Sequence, residues 1–591
     1  MERIKTRFAA NVDVARVLPE YPRPQLVREG WMNLNGLYDY AVTPHGAQQP
    51  ERFEGQILVP FCIESSLSGV ERALKPDELL WYRRTFELSE AFYGKKVILH
   101  FGAVDWQCKV WVNGKLVGTH TGGYCPFSFE ITGYINAHNN ELTVCVYDPT
   151  DEGWQQRGKQ VLKTHGFWYT ATSGIWQTVW LEAVDRCYIR EVKAVPDIDR
   201  GLFTLNTKLY CDEGYQLKLR VFDEGKEIIA REISTSEEID LPDAKLWSPE
   251  SPFLYDLQLE LSTQGELRDT VRSYVGMRKC SIGRDEKGLP RLLLNNKPYF
   301  QRGLLDQGYW CESLLTPPTD EAMVYDIEVA KRLGFNMLRK HIKVEPARWY
   351  YHCDRLGMLV WQDMPNGGSD YQHWFVTYLA TLLNWTRIPV KDIHARLLSR
   401  TDEDGRQEFV YELRDMIKAL YNHPSIVTWV PFNEGWGQFS TKEVTDFIHR
   451  LDPSRLVDSA SGWFDQKGGD LCSLHYYFFT LKFRPEPVRA LALTEFGGYS
   501  WQVPGHSYSE KLYGYGKYDS RQTLTEGYRR LLSSTILPAV KQGISATIYT
   551  QLSDVEEEVN GLYTYDREIL KPDGETVRKL NQELKDAVNR H

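Results

Sequence analysis

Two glutamates stand in similar sequence contexts, and together they could do acid–base and nucleophilic chemistry. Glu434 follows a short apolar run, Ile426 to Val430, and precedes Gly435. Glu495 comes 61 positions later, between Leu-Ala-Leu-Thr and Phe-Gly-Gly. Two carboxyl groups that face one pocket are the minimum equipment for hydrolysing a glycosidic bond. Taken alone, Glu434 is equally compatible with a strand-end salt bridge, because buried charges are usually paired.

A barrel of alternating strands and helices would bring the two glutamates together. From about residue 284, helical stretches (including 319–333, 408–421 and 525–542) alternate with eight strand-like runs, residues 299–305, 336–339, 358–363, 426–432, 456–459, 471–475, 491–494 and 544–549. This order predicts a C-terminal catalytic (β/α)8 TIM barrel over residues 284–591. Glu434 would then end the fourth strand and Glu495 the seventh, on the face where barrel enzymes carry their active sites.

The sequence before the barrel shows strand periodicity only. In residues 1–185, short runs alternate polar and apolar positions, and Asn113-Gly114 marks a hairpin turn. This region predicts an N-terminal jelly-roll β-sandwich. Similar runs continue through residues 186–283, a length that suits an immunoglobulin-like β-sandwich.

Composition narrows the class of protein. The chain of 591 residues has 42% hydrophobic and 25% charged residues, as soluble globular proteins do. A net charge of −10 argues against a nucleic-acid binder. No apolar run approaches the ~18 residues of a membrane span, and the first residues lack the apolar core of a signal peptide. The ten cysteines have no paired spacing, so we expect reduced thiols, no metal site and a cytoplasmic location.

Short motifs recur in a fixed order along nearly the whole chain. The first group is Gly36-Leu-Tyr38, Trp81-Tyr-Arg-Arg84, Trp111-Val-Asn-Gly114 and Ser173-Gly-Ile-Trp176. The second group is Leu246-Trp-Ser-Pro249, Leu254-Tyr255 and Val275-Gly-Met-Arg278. The third is Asn422-His-Pro-Ser-Ile426, Asn433-Glu434 and Thr494-Glu495-Phe-Gly497. In their joint order and spacing these motifs resemble glycoside hydrolase family two, the family of β-galactosidases, β-glucuronidases and β-mannosidases.

The resemblance implies a role for each residue of the third group and for some of its neighbours. Glu434 would be the general acid and then the general base, and Glu495 the nucleophile of a retaining mechanism. Asn433 would bind the sugar 2-hydroxyl, although a strand-end amide could also simply cap a loop. Tyr477 would hydrogen-bond the nucleophile, a role that His475 could take instead. Arg339 would contact the nucleophile, with a structural ion pair as the alternative.

Further residues are candidates for substrate binding because of their predicted positions. They lie at strand ends or in the loops that follow them, and they are Asp306, His341, Asp363, Trp463 and Gln551. Two long loops, residues 364–404 and 499–518, are expected to shape the pocket, since loops of this length in compact domains are usually functional or mobile. No metal or organic cofactor is expected, and the family resemblance leaves a homo-oligomer open.

Several positions depart from the family pattern. β-Galactosidases and β-glucuronidases tend to carry Arg-x-Ser-His-Tyr-Pro after strand two, whereas here Ile342 stands at the histidine position and His341 one residue earlier. The Asn-x-Lys pair that binds a glucuronate carboxylate has no obvious counterpart, which counts against a β-glucuronidase. Thr550 stands where a tryptophan is common.

These observations favour an exo-acting retaining β-glycosidase of the β-galactosidase type, with an oligosaccharide or glycoside as its substrate. A furanosidase of the same family, specific for galactofuranose or arabinofuranose, is the close alternative. A non-catalytic carbohydrate-binding protein is the alternative from another class, but it would be expected to have lost one of the two glutamates. A metal-dependent barrel hydrolase ranks lower, because only His341 and His475 approach a ligand cluster.

Overall fold

The computed structural model describes residues 4–369, 371–372, 374–386, 388, 390–478 and 480–589. In this part of the chain, strands and three short 3-10 helices build the first half, and strands alternating with helices build the second half. No helix within it is long and apolar enough to cross a membrane.

The N-terminal region forms a β-sandwich, as the alternating pattern predicts. One sheet has four strands in the order β1-β14-β5-β9, and the facing sheet has six in the order β3-β2-β4-β10-β7-β8. Apolar side chains from both inner faces fill the space between the sheets, among them Ile57, Val110 and Leu181. The strands are β1 Trp31–Asn33, β2 Gly36–Pro44, β3 Gly55–Val59, β4 Glu78–Phe86, β5 Lys96–Phe101, β6 Val104–Asp105, β7 Gln107–Val112, β8 Lys115–Thr121, β9 Phe127–Glu130, β10 Asn140–Tyr147, β11 Gln160–Val161, β12 Tyr169–Thr170, β13 Gly174–Ile175 and β14 Val179–Val184.

A smaller immunoglobulin-like sandwich follows. Its two sheets have the orders β15-β16-β19 and β18-β17-β20-β21, and all neighbours within each sheet are antiparallel. The strands are β15 Tyr188–Asp197, β16 Leu202–Tyr210, β17 Gln216–Asp223, β18 Lys226–Ile233, β19 Ser236–Asp240, β20 Tyr255–Thr263 and β21 Glu266–Val275.

One disulfide corrects the expectation that all ten cysteines are reduced. Cys187 and Cys211 are joined at the edge of this second sandwich. Cys187 precedes Tyr188 and Cys211 follows Tyr210, and these two tyrosines are direct partners in the antiparallel β15–β16 pair. Strand register therefore places the cysteines opposite each other. Their 24-residue separation carried no such signal, because register is not visible in spacing alone.

A three-stranded sheet joins the second sandwich to the barrel. It consists of β22 Cys280–Arg284, β23 Pro290–Leu294 and β24 Lys297–Pro298. Leu292 and Leu294 of β23 pack with Met337 and Trp361 from the barrel strands. The Arg291 guanidinium donates to the Ile544 carbonyl at the start of the last strand. The sheet therefore closes the end of the barrel opposite the carboxyl ends of its strands.

The C-terminal half is the predicted (β/α)8 barrel. Its eight parallel strands have the order β29-β28-β27-β26-β25-β32-β31-β30, and each of them lies within or beside one of the eight predicted runs. The strands are β25 Gln301–Asp306, β26 Met337–Lys340, β27 Leu359–Asp363, β28 Ile426–Val430, β29 Leu456–Val457, β30 Leu471–Tyr476, β31 Ala490–Gly497 and β32 Ile544–Thr550. The helices are α1 Asp320–Arg332, α2 Ala347–Leu356, α3 Ala380–Thr386, α4 Glu403–Leu420, α5 Thr441–Leu451, α6 Arg521–Leu531, α7 Leu537–Lys541 and α8 Gly574–Asn589.

Helix boundaries follow local capping chemistry. The Thr319 side chain accepts a hydrogen bond from the Ala322 amide and so begins α1, and Asp402 caps α4 in the same way through Gly405. The predicted helix over 525–542 is correct in place but not continuous, because a π turn at Leu532–Ile536 separates α6 from α7.

Candidate active site

Glu434 is held at the mouth of the barrel by a strained turn. It lies just beyond β28 with a φ of +51°, a left-handed conformation that non-glycine residues rarely adopt. Gly435 continues the turn at φ +74°, and a Cβ there would lie 2.3 Å from the Phe464 ring. Backbone strain of this kind is commonly found at active sites. The turn leaves Glu434 8% exposed.

Glu495 lies within β31 and is 5% exposed. The Tyr477 hydroxyl donates to its Oε2 at 2.6 Å, and Arg339 Nη1 donates to its Oε1 at 3.2 Å. Tyr477 is itself fixed by Thr550 Oγ1 at 2.8 Å. Both donors therefore stabilise the ionised form of the Glu495 carboxylate.

His475 lies between the two glutamates. Its Nδ1 is 2.7 Å from Glu434 Oε1, and its Nε2 is 3.6 Å from Glu495 Oε1. One ring nitrogen of His475 and one oxygen of each carboxylate lie within 4.8 Å of one another. The structure thus places both glutamates in one pocket, as the predicted barrel requires.

The environment moves the pKa values of the two glutamates in opposite directions. Burial raises the pKa of Glu434, and the negative charge of Glu495 adds to this, although the hydrogen bond to His475 opposes it. Burial would also raise the pKa of Glu495, but His475, Arg339 and the Tyr477 hydrogen bond outweigh it, and the pKa lies below its usual value. Opposite shifts in a carboxyl pair are the arrangement in which one member holds a proton while the other is ionised.

A buried network behind the glutamates fixes Arg339, which is fully buried. Its guanidinium donates to Asp363 at 3.0 and 2.9 Å and to Asn433 Oδ1 at 2.9 Å, besides its bond to Glu495. Arg339 therefore contacts the residue predicted as nucleophile and also forms the structural ion pair that was its alternative. Asp363 supports the cavity from behind rather than lining it.

His341 extends this network into the cavity. Its Nδ1 lies 2.9 Å from Asp363 Oδ2. Burial holds the pKa of His341 well below its usual value, and the charge of Lys159 lowers it further. A neutral ring that donates from Nδ1 to Asp363 leaves Nε2 as a hydrogen-bond acceptor for a ligand hydroxyl.

A cavity of about 920 Å³ opens above Glu434 and Glu495. Of the predicted substrate-binding residues, His341, Trp463, His475 and Tyr477 line it. Its wall also contains residues that the sequence did not assign to the site, namely Lys159, Phe167, Trp436, Thr550 and Glu558. The two long loops contribute Tyr378, Tyr513 and Tyr515, in agreement with the expectation that they shape the pocket.

Asp306 and Gln551 are not among the described residues that line this cavity, in contrast to their predicted role. Asp306 ends β25, but its carboxylate is paired with Lys340 Nζ at 2.6 Å. Gln551 is fully buried, accepting from Gln307 and donating to Asn560 at 2.8 Å each. Strand-end position was the signal for both residues, and neighbouring side chains of the barrel rim satisfy their polar atoms instead.

Lys159 and Phe167 reach the cavity from the N-terminal sandwich. The amides of Arg157 and Gly158 donate to the Asn366 carbonyl of the barrel at 3.0 and 2.9 Å, which fixes this segment against the barrel. No sequence signal marked these residues, because the contact joins segments about 200 positions apart. Trp436 could have been found, since it follows Glu434 by two positions.

Comparison with known proteins agrees with this architecture. Residues 59–184 match the glycosyl hydrolases family 2 sugar binding domain, residues 187–278 match a second domain of family 2, and residues 291–492 match its TIM barrel domain. The fold and the paired carboxyl groups define a barrel glycoside hydrolase. The chain belongs to glycoside hydrolase family 2.

Individual relatives are distant. A β-galactosidase of Thermoanaerobacter pseudethanolicus is 27% identical over 395 residues, covering 64% of this chain and 47% of that protein. A β-glucuronidase of Paenibacillus borealis is 24% identical over 471 residues, 74% of each chain. The β-D-glucuronidase structure of Dictyoglomus thermophilum has the same fold, with a TM-score of 0.73 at 18% identity over 95% of this chain and 98% of that one. The chain spans less than half the length of the first β-galactosidases it matches.

Proposed function

We propose that the chain is an exo-acting, retaining β-glycosidase that releases a terminal galactose-like sugar. The observation that carries the proposal is the pair Glu434 and Glu495, whose nearest oxygens lie within 4.8 Å across one cavity. Retaining glycosidases hold their carboxyl groups about 5–5.5 Å apart, whereas inverting enzymes need roughly 6.5–9.5 Å to admit a water molecule. The short separation therefore supports double displacement.

Each step has a residue in place for it. Glu434, kept protonated by burial, donates its proton to the glycosidic oxygen as the bond to the anomeric carbon breaks. Glu495, ionised beside Tyr477 and Arg339, attacks that carbon and forms a glycosyl-enzyme ester. Glu434 is then ionised, takes a proton from water, and the resulting hydroxide displaces Glu495.

The cavity walls support exo action. Lys159 and Phe167 of the N-terminal sandwich line the cavity together with Tyr513 and Tyr515 of the loop after β31. A wall to which both the sandwich and the barrel contribute suits the end of a glycan better than its interior. Asn433 Nδ2 is buried without a hydrogen-bond partner among the described residues, as a donor kept for the sugar 2-hydroxyl would be, although Asn433 is not among the residues that line the cavity.

The experiment that tests the proposal is a panel of aryl glycosides assayed with wild-type protein and Glu495→Gln side by side. The panel contains β-galactopyranoside, β-galactofuranoside, β-glucuronide, β-mannoside, β-glucoside and α-L-arabinosides of both ring sizes. We expect β-galactopyranoside to be cleaved and the substitution to abolish cleavage. A furanoside as the preferred substrate would select the furanosidase alternative, and no cleavage at all would favour a binding protein.

Two further readouts address mechanism. Proton NMR of the first-formed sugar gives its anomeric configuration, and β product from β substrate is expected for retention. Glu434, His475 and Glu495 are also close enough to hold a metal ion, so the assay is repeated in excess chelator. Activity that is lost there and restored by a divalent metal would overturn the metal-free mechanism.

A further inference from the structure

Lys159 is a buried cation in the wall of the candidate active site. Its side chain is 6% exposed and lies over the rings of Tyr169 and Phe167, at 5.3 and 5.7 Å from their centroids. Its ammonium makes no hydrogen bond to any residue that the structure describes. The other basic residues of the cavity wall, Lys467, Lys482 and Arg484, are exposed. A buried ammonium is rarely left without acceptors, so this one is placed to receive them from a ligand.

Glu558 faces Lys159 from the loop after β32. Its Oε2 lies 4.0 Å from Lys159 Nζ, which is too far for a hydrogen bond. The Tyr169 hydroxyl donates to Glu558 Oε2, and Asn560 Nδ2 donates to Oε1 at 2.9 Å. These two donors hold the carboxylate in place while it keeps further acceptor capacity.

The gap between the two side chains has the chemistry of a hydroxyl site. A hydroxyl group between them would accept from the Lys159 ammonium and donate to the Glu558 carboxylate at the same time. A carboxylate in this position would accept from Lys159 but would meet the like charge of Glu558, with the Glu434 and Glu495 carboxyls in the same cavity.

This position is close to the reaction centre. Lys159 and Glu558 line the same cavity as Glu434 and Glu495. The positive charge of Lys159 opposes the rise in the pKa of Glu434 and adds to the fall in the pKa of His341, as expected for an ammonium in the wall of the same cavity. A sugar seated against Glu434 and Glu495 is therefore within reach of the pair.

We propose that Lys159 and Glu558, contributed by the N-terminal sandwich and the barrel, form a hydroxyl-binding pair that selects a neutral sugar over the corresponding uronic acid. The inference rests on the proposed glycosidase function for its kinetic test but not for its binding test. It assigns a specificity-determining role to the junction between the two domains.

The kinetic test compares aryl β-galactoside with aryl β-galacturonide, which differ only in a hydroxymethyl or carboxylate group at C5 of the ring. We expect wild-type kcat/KM to favour the galactoside on the order of 100-fold, since a like charge or an unpaired buried group is penalised strongly. Lys159→Met should lower galactoside kcat/KM on the order of 10- to 100-fold. Glu558→Gln should raise galacturonide cleavage and narrow the ratio. Lys109→Met, at an exposed lysine of the N-terminal sandwich outside the cavity wall, should leave the ratio unchanged. A wild-type preference for the galacturonide, or an unaltered ratio in Glu558→Gln, would overturn the proposal.

A binding test separates this inference from the proposed function. Thermal shifts of wild-type protein and Glu558→Gln are measured in galactose and galacturonate, and again in glucose and glucuronate. We expect only the neutral sugars to raise the melting temperature of wild-type protein. In Glu558→Gln, the rise caused by the uronates should increase relative to the rise caused by the neutral sugars. Binding of neutral sugars without cleavage of any glycoside would reject the glycosidase and keep the pair. Preferential binding of uronates, or no binding of any of the four, would reject the pair.

Discussion

His475 Nδ1 lies 2.7 Å from Glu434 Oε1, while the other nitrogen of the same ring lies 3.6 Å from Glu495 Oε1. One imidazole thus touches the group proposed as acid and approaches the group proposed as nucleophile. Ser461 Oγ lies 3.2 Å from Nε2 and helps to orient the ring. His475 was predicted as a substrate contact or as the partner of the nucleophile, and its direct partner is instead Glu434.

The substitution His475→Asn should move the whole pH profile of kcat/KM to higher pH. The hydrogen bond to His475 lowers the pKa of Glu434, and the charge of His475 lowers the pKa of Glu495. Without the ring both pKa values rise, so the alkaline limb, which reports Glu434, and the acid limb, which reports Glu495, both shift upward. His138→Asn, at an exposed histidine of the first sandwich, serves as the control. A profile that moves to lower pH would contradict the assignment.

The substitution Tyr477→Phe should move only the acid limb. The Tyr477 hydroxyl donates to Glu495 Oε2 at 2.6 Å, and its removal takes away one of the causes that lower the pKa of Glu495. Glu434 has no hydrogen bond to Tyr477 among the described contacts, so the alkaline limb should stay. A hydrogen bond to a charged group contributes about 1.5–3 kcal/mol, so its loss should move the acid limb to higher pH by roughly one to two units. Equal movement of both limbs would show that Tyr477 acts on the pair rather than on Glu495.

The substitution Glu434→Gln should lower kcat/KM most for substrates with poor leaving groups. A general acid contributes about 100- to 10,000-fold when the departing oxygen needs a proton. An activated nitrophenyl group needs little protonation, so its kcat/KM should change much less than that of an alkyl glycoside. Glu495→Gln removes the nucleophile and should abolish cleavage of both. The measurement is kcat/KM plotted against the pKa of the leaving group. If kcat/KM of Glu434→Gln falls equally for all leaving groups, Glu434 is not the general acid and the proposed roles of the two glutamates are wrong.

The barrel was predictable from the sequence because each of its strands is a short apolar run followed by a recognisable helix or loop. The meeting of Glu434 and Glu495 in one cavity was predictable for the same reason, since the ends of strands four and seven lie on the same face of a barrel. Tyr477 and Arg339 were assigned through the family resemblance, and the structure places both against Glu495.

The rest of the site depends on contacts between distant segments. Lys159 enters the cavity because its neighbours Arg157 and Gly158 bind the carbonyl of Asn366, a pairing that no local pattern encodes. Asp306 and Gln551 were predicted to bind substrate but do not line the cavity. A strand-end position does not reveal whether a neighbouring residue, such as Lys340 beside Asp306, already pairs with the side chain. The Cys187–Cys211 pair likewise follows from the register of β15 and β16.

The last prediction concerns stability and uses Glu64, a buried carboxyl of the N-terminal sandwich. Burial raises the pKa of Glu64 from 4.5 to about 7, since backbone amides such as that of Ser173 are its partners and they offset the burial only in part. Because the pKa of Glu64 is higher in the folded state than in the unfolded state, its contribution to the free energy of unfolding is fully present below about pH 4.5. That contribution is lost as the pH rises from there through about 7. Glu64→Gln stays neutral at every pH, and its amide oxygen can still accept from the Ser173 amide.

The variant should therefore be more stable than wild-type protein at pH 8, by on the order of 3 kcal/mol for this group, and nearly equal to it at pH 5. Urea unfolding midpoints at the two pH values, followed by tryptophan fluorescence, give the comparison. Glu51→Gln, at an exposed position of the same sandwich, should show no such difference between the two pH values. Equal stability of Glu64→Gln and wild-type protein at pH 8 would mean that the Glu64 carboxylate is stabilised by the fold, and the raised pKa would be wrong.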